Sequence, residues 1–165
     1  MKIAILASEG APYAKSGGLG DVMEALPSAL AKIKGNEVIL ILPYYHRIKN
    51  HPDYKTRRVA ACDVTLAWRQ QYAGLMKLTG RKDGVKVYFV DNDYYFGHRS
   101  GAIYGDGDDS ERFAFFSKAC LDLMEEINRG AKKPHGDKWY YAGKFLVVGS
   151  ALILCGCALI LKIAF

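Results

Sequence analysis

The chain has 165 residues, of which 50% are hydrophobic and 12% aromatic, and a net charge of +6. This length suits one domain with its own core, and the apolar content excludes an intrinsically disordered chain. The basic charge does not indicate nucleic-acid binding, because it is concentrated between residues 129 and 144, where five cations meet one carboxylate. The four cysteines match neither a common zinc spacing nor a disulfide framework, so free thiols in the cytoplasm are predicted.

The first forty residues have the pattern of a strand, a helix and a second strand. An apolar run at residues 2–7 predicts a buried strand, and a loop rich in glycine follows it. Residues 37–42 predict a second buried strand, so the connection is expected to be a right-handed parallel crossover. The helix between them is predicted from apolar residues at helical spacing, namely Val22, Leu26, Leu30 and Ile33.

The middle of the chain predicts a hairpin, a third strand and a long helix. Residues 44–56 are read as a loop with at most a helical turn. Residues 57–68 and 72–79 are β-rich and predict a hairpin, and residues 85–90 predict another apolar strand. After a loop at residues 91–109, Ser110 is predicted to cap a helix that ends near residue 128. The predicted fold class is α/β: a parallel sheet with flanking helices and a β-hairpin.

The C-terminal part departs from this pattern. We expect a partial domain at residues 1–129, a basic linker at 130–144 and an apolar tail at 145–165 whose only charge is Lys162. A helix of 21 residues would reach ~30 Å, enough to span a bilayer with the domain on the cytoplasmic side. The alternatives are a buried strand or helix, or a non-native tail produced by a frameshift.

The loop after the first strand carries the strongest chemical signal. Gly17 and Gly18 lie where α/β proteins bind phosphates, and Lys15 places a cation beside them. The dinucleotide pattern G-x-G-x-x-G is incomplete, because Met23 occupies the third glycine's position, and no P-loop sequence follows. From these residues alone, a phosphate site and a flexible loop with a solvated lysine are equally good interpretations.

Four blocks of sequence together resemble a known family. They are residues 9–22 (EGAPYAKSGGLGDV), residues 42–45 (LPYY), residues 91–96 (DNDYYF) with Tyr104 and Gly105, and residues 111–118 (ERFAFFSK). Their order resembles the N-terminal part of bacterial glycogen synthases and plant starch synthases, with Ser16 where that family usually has threonine. The similarity covers residues 1 to about 125.

This resemblance implies a glycosyltransferase of the GT-B class, in which two Rossmann-like domains close over ADP-glucose. The glucosyl unit would pass to the non-reducing end of an α-1,4-glucan, glycogen or starch, with retention and without a metal or other cofactor. The second domain of such enzymes has no counterpart here, so we expect an incomplete catalytic site and no synthase activity from this chain alone. The alternatives are a membrane-tethered, non-catalytic module that binds glucan or nucleotide, and a GT-B enzyme with another nucleotide sugar.

The resemblance also implies roles for individual residues. Lys15 would neutralise the diphosphate of the donor, and the pair Gly17 and Gly18 would let the backbone approach it. Asp21 and Glu9 would lie near the sugar or in the hydrogen-bond network of the loop.

Two further candidate features lie in the long loop at residues 91–109. Tyr95 would line the donor or acceptor pocket by resemblance, although adjacent tyrosines can also cover a sheet edge. Asp106, Asp108 and Asp109 are interpreted as a solvated turn rather than a calcium loop, because no glutamate occupies the required twelfth position.

Overall fold

The computed structural model describes residues 1–99, 101–130 and 158–163, and these form a mixed α/β fold around one sheet. The strand order is β3-β4-β5-β2-β1-β6. Strands β1, β2 and β5 pair in parallel, whereas β3 pairs with β4, β4 with β5 and β6 with β1 in antiparallel fashion. The strands are β1 (Lys2–Ala7), β2 (Glu37–Pro43), β3 (Thr56–Leu66), β4 (Arg69–Leu78), β5 (Val85–Asp91) and β6 (Ala158–Ile163).

In the part of the chain that the structure describes, three α-helices and one π-helical turn accompany the sheet. Helix α1 spans Gly18–Ala31, α2 spans His46–Lys49 and α3 spans Asp109–Gly130, while the π-helical turn covers Asp93–Gly97. Helix α1 packs on β2 and β5, and α3 packs mainly on β3. The core lies between these helices and the sheet, where the central strands β1 and β2 are almost entirely buried.

The sheet differs from the predicted parallel one because it is mixed. The hairpin β3–β4 does not stand beside the sheet; it extends it, since β4 pairs with β5 from Gly74↔Asp91 to Lys77↔Tyr88. An apolar run predicts a strand, but it does not determine the direction of its neighbours. Among the described strands, β1, β2 and β5 are parallel to one another, and they are the strands with the most apolar sequences, although Lys86 interrupts the apolar run of β5.

The predicted stripe of α1 is confirmed at Leu26 and Leu30, which are partly buried against the core, and it is wrong at its two ends. Val22 is 50% exposed and Ile33, which lies beyond the helix end, is 57% exposed. Met23 and Pro27 are buried instead, one turn apart on the side that meets the sheet. Because one residue turns a helix by about 100°, this shift by one position moves the side chain of Val22 into solvent.

Helix α3 begins at Asp109, one residue before the predicted start, so Ser110 lies inside the helix rather than at its cap. Phe115, Cys120 and Leu123 are fully buried beneath it, and Phe113 is half-buried. These side chains belong to the apolar face with which α3 packs on the sheet.

Most of the predicted linker and tail lies outside the described residues. Within the tail, residues 158–163 form β6, which pairs with β1 from Lys2↔Ile163 to Ala7↔Ala158. The interpretation of residues 145–165 as a membrane-spanning helix is not supported by this strand. Among the described residues, none of the helices is both long and apolar enough to cross a membrane.

Candidate functional site

The loop between β1 and α1 folds back on itself at the carboxyl edge of the sheet. The Gly10 N–H donates to Ala14 O at 2.7 Å, and the Ala14 N–H donates back to Gly10 O at 3.0 Å. The Ala11 N–H donates to Gly20 O, in the first turn of α1, at 3.0 Å. A Cβ at position 10 would lie 3.1 Å from Leu42 Cδ1, so glycine suits this close approach. These contacts fix the loop against the start of the helix.

Glu9 is the buried anchor of this loop, with 2% of its surface exposed. Its Oε2 accepts hydrogen bonds from the Ser16 N–H at 2.5 Å, the Ser16 hydroxyl at 2.7 Å and the Gly17 N–H at 3.3 Å. Hydrogen bonds to an ionised acceptor are stronger than neutral ones. The carboxylate therefore holds residues 16 and 17 in place, and with them the N-terminus of α1.

Lys15 crosses the first turn of α1. Its ammonium lies 2.6 Å from Asp21 Oδ1, and the two side chains are 46% and 61% exposed. The aliphatic stem passes over Gly20, where a Cβ would lie only 2.6 Å from Lys15 Cγ. Gly20 thus leaves room for the stem, and the cation stays beside the helix N-terminus.

The N-terminal end of α1 presents backbone donors to solvent. Gly17 and Gly18 are both exposed, and a Cβ at position 18 would meet nothing within 4 Å. In the part of the chain that the structure describes, the N–H groups of Gly18 and Leu19 have no acceptor. Such groups carry the positive end of the helix dipole and bind anions. Together with Lys15 they form a surface suited to phosphate.

Tyr95 lies away from this group. It is fully buried, its ring centroid is 4.7 Å from that of Phe115, and its hydroxyl donates to Glu111 Oε1 at 2.6 Å. Burial, and then the bond to Glu111, raise the pKa of Tyr95 to about 12. These are the contacts of a core residue between the π-helical turn and α3. The role of Tyr95 in lining a substrate pocket stays a prediction, whereas Glu9, Lys15 and Asp21 are brought together with the two glycines.

Two tyrosines that the sequence did not single out anchor the end of β1. The Tyr45 hydroxyl donates to Ser8 O at 2.7 Å, and the Tyr104 hydroxyl lies 2.6 Å from Ser8 Oγ. Burial raises the pKa of Tyr45 well above its usual value, so its hydroxyl stays protonated. Both tyrosines belong to the matching blocks, but residue type and spacing alone did not distinguish them from other core aromatics.

The three aspartates of the long loop are neutralised by arginines. Their carboxylates lie within 4.8 Å of one another. Arg99 contacts Asp106 at 3.0 Å and donates to Asp108 at 2.7 Å, and the buried Arg112 contacts Asp109 at 2.8 Å. The hydrogen bonds from Arg99 lower the pKa of Asp108. The cluster is therefore an ion-pair network that fixes the loop before α3.

The fold and the loop define a class of protein: an α/β domain with a helix N-terminus for anions at the carboxyl edge of its parallel strands. Residues 2–140 match the sequence model of the starch synthase catalytic domain family. The chain belongs to this family, and the resemblance inferred from the four blocks is confirmed.

Similar proteins cover the same part of the chain. The glycogen synthase of Streptococcus agalactiae serotype III (strain NEM316) is 47% identical over 128 residues, which are 78% of this chain and 26% of that protein. The glycogen synthase of Streptococcus pneumoniae (strain CGSP14) is 48% identical over 128 residues, with the same coverage. The catalytic domain of starch synthase IV from Arabidopsis thaliana, bound to ADP and acarbose, matches with a TM-score of 0.65 and 31% identity, over 76% of this chain and 25% of that one. The chain thus spans about a quarter of the length of these relatives.

Proposed function

We propose that this chain supplies the N-terminal, donor-side part of a GT-B glycosyltransferase that transfers glucose from ADP-glucose to the non-reducing end of an α-1,4-glucan, with retention. Within it, residues 1–129 are the partial domain, 130–144 the linker and 145–165 the tail. The observation that carries the proposal is that the Lys15 cation and the amides of Gly18 and Leu19, which have no acceptor among the described residues, lie at the same end of α1 in a chain of this family.

The chemistry of the transfer explains why such a surface is useful. When ADP leaves, negative charge accumulates on its diphosphate. A fixed cation and backbone donors bind that charge more strongly in the transition state than in the ground state, which lowers the barrier. Lys15 supplies the cation, Gly18 and Leu19 supply the donors, and Glu9 keeps the loop in the required shape.

Asp21 has a second part in this proposal. It holds the Lys15 ammonium at 2.6 Å in the structure, so an incoming diphosphate competes with a carboxylate for the same cation. Surface ion pairs of this kind contribute only about 0.2–1 kcal/mol, which a dianionic ligand can readily replace. Asp21 therefore positions the lysine without blocking the site.

A titration followed by amide NMR tests the proposal. ADP-glucose added to the ¹⁵N-labelled chain should shift the amide signals of residues 16–19 more than those of β3 and β4. If those four signals do not respond at millimolar ligand, the proposed site is refuted. We expect the 165-residue chain to bind ADP-glucose, because the proposed phosphate site lies within it. We expect no glucan elongation from this chain alone, because its 128 aligned residues are only 26% of the S. agalactiae protein.

A further inference from the structure

Tyr13 lies in the middle of the loop between β1 and α1, and only 7% of its surface is exposed. Its ring meets those of Tyr54 and Phe89 edge-on, with ring centroids 5.1 Å and 5.4 Å apart. Its hydroxyl accepts a hydrogen bond from Arg81 Nη1 at 2.7 Å. Because Lys15 follows Tyr13 by two residues, these contacts restrain the part of the loop that carries the cation.

Arg81 belongs to the turn between β4 and β5, 68 positions after Tyr13 in the sequence. Its Nε donates to Asp83 Oδ1 at 2.6 Å, and its Nη2 donates to Asp83 Oδ2. Such a two-pronged pair fixes the plane of the guanidinium. Only 17% of the Arg81 side chain is exposed. The third nitrogen, Nη1, is therefore held in a fixed direction, towards the Tyr13 hydroxyl.

The same arginine is connected to helix α1 through Ser28. The Ser28 hydroxyl donates to Asp83 Oδ2 at 2.9 Å, and Arg81 Nη2 lies 3.3 Å from Ser28 Oγ. Helix α1 is continuous from Gly18 to Ala31, and Ser28 lies ~15 Å along it from Gly18 at the usual rise per residue. A contact at Ser28 therefore also restrains the first turn of the helix.

The phosphate site is assembled from these two elements. The loop supplies Lys15, and the helix supplies the amides of Gly18 and Leu19. The exposed Lys15–Asp21 pair also joins loop and helix, but an incoming diphosphate competes for that cation. The contacts of Arg81 with the loop and the helix involve no group that the diphosphate binds. They can therefore persist when the site is occupied.

We propose that Arg81 is a positioning residue of the phosphate site: through Tyr13 and Ser28 it fixes the loop that carries Lys15 relative to the amides at the start of α1. This inference rests on the proposed function of the loop. Arg81 acts through Tyr13 and does not itself bind the diphosphate. Its removal should therefore change affinity by misplacing the groups that do.

Tyr13→Phe removes only the hydroxyl that receives the bond from Arg81 and keeps the packing of the ring. It should raise the dissociation constant for ADP about three- to tenfold, which is part of the effect of one charge-assisted hydrogen bond. Tyr44→Phe is the matched control. Tyr44 is 5% exposed, its ring stacks on Phe89 at 5.3 Å, and its hydroxyl lies 2.8 Å from Thr56 Oγ1, outside the loop.

Amide NMR on the 165-residue chain measures the dissociation constant for ADP of the wild type and of both variants, and thermal unfolding measures their Tm. Both variants should lower Tm by similar amounts, whereas Tyr44→Phe should change the ADP affinity less than about twofold. Equal affinities for the two variants overturn the inference while the phosphate site stands. If ADP does not shift the signals of residues 16–19 in the wild-type chain, the proposed function itself fails.

Arg81→Lys tests the other partner of the same contact. It keeps the charge, but a lysine has one nitrogen where arginine has three, so it cannot donate to Tyr13 and Asp83 together. It should weaken ADP about as much as Tyr13→Phe does. The double variant should bind ADP no more weakly than the weaker single variant, because both changes break one contact. Losses in ADP affinity that multiply in the double variant overturn the inference.

Discussion

Replacing Lys15 with alanine should weaken nucleotide binding strongly and leave folding almost unchanged. The ammonium is the only cation that the structure places across the first turn of α1, within the described residues. A charge-assisted hydrogen bond to phosphate contributes about 1.5–3 kcal/mol, so the dissociation constant for ADP should rise about ten- to hundredfold. The Asp21 carboxylate, left without its partner, would also repel the phosphate.

The structure indicates that the substitution Lys15→Ala lowers the stability of the fold only slightly. The Lys15–Asp21 pair is 46% and 61% exposed, and exposed pairs contribute about 0.2–1 kcal/mol. Lys86→Ala is the matched control, because Lys86 is also 46% exposed and pairs with Glu37, but lies near the amino end of β5. Both variants should show similar small changes in Tm, and only Lys15→Ala should lose affinity.

Calorimetry or amide NMR at low ionic strength measures the dissociation constant for ADP of the wild-type chain and of both variants. In ~0.5 M salt, the dissociation constants of Lys15→Ala and the wild-type chain should lie closer together, since salt screens exposed charges. Equal ADP affinities for Lys15→Ala, Lys86→Ala and the wild-type chain would refute the electrostatic account of the loop.

Three further changes test other parts of the structure. Gly20→Ala should displace the stem of Lys15, because its Cβ would lie 2.6 Å from Lys15 Cγ and 3.0 Å from Lys15 Cβ, close to the backbone end of that side chain. ADP affinity and Tm should therefore both fall, and an unchanged ADP affinity would contradict the proposed position of the lysine. Hydrogen bonds from Arg81 lower the pKa of Asp83 from 3.8 to about 2, so their contribution to stability is present above pH 4 and lost as the pH falls towards 2. Asp83→Asn should accordingly lose less Tm than the wild-type chain between pH 4 and pH 2, and parallel pH profiles would contradict this. Leu40→Ala, at a fully buried position in β2, should lower the free energy of unfolding by about 2–5 kcal/mol in urea titrations, and a loss below 1 kcal/mol would argue against the described core.

The local elements of this protein were largely readable from its sequence. Apolar runs predicted β1, β2 and β5, the last with Lys86 inside it, and β-rich runs predicted the hairpin, because short apolar or β-branched stretches are typical of strands. The position of Lys15 and the glycines after the first strand predicted the candidate site, since an α/β crossover necessarily brings that loop to the carboxyl edge.

Other features depended on contacts between residues distant in sequence. Packing with α3 buries Tyr95 against Phe115 and Glu111, and no local pattern specified these contacts. The mixed direction of the sheet arises from the pairing of β4 with β5, and no local pattern specifies it.

In the candidate site, too, some features were predicted from the sequence and others depended on the tertiary structure. Residue types along one short loop indicated a candidate anion site, because glycines and a lysine follow the first strand, although a solvated loop was an equally good interpretation until the family resemblance was added. Only the folded loop determined that Glu9 is buried and accepts hydrogen bonds from Ser16 and Gly17, and that Lys15 pairs with Asp21. Burial and hydrogen-bond partners are properties of atoms brought together in three dimensions, which spacing along the chain does not specify.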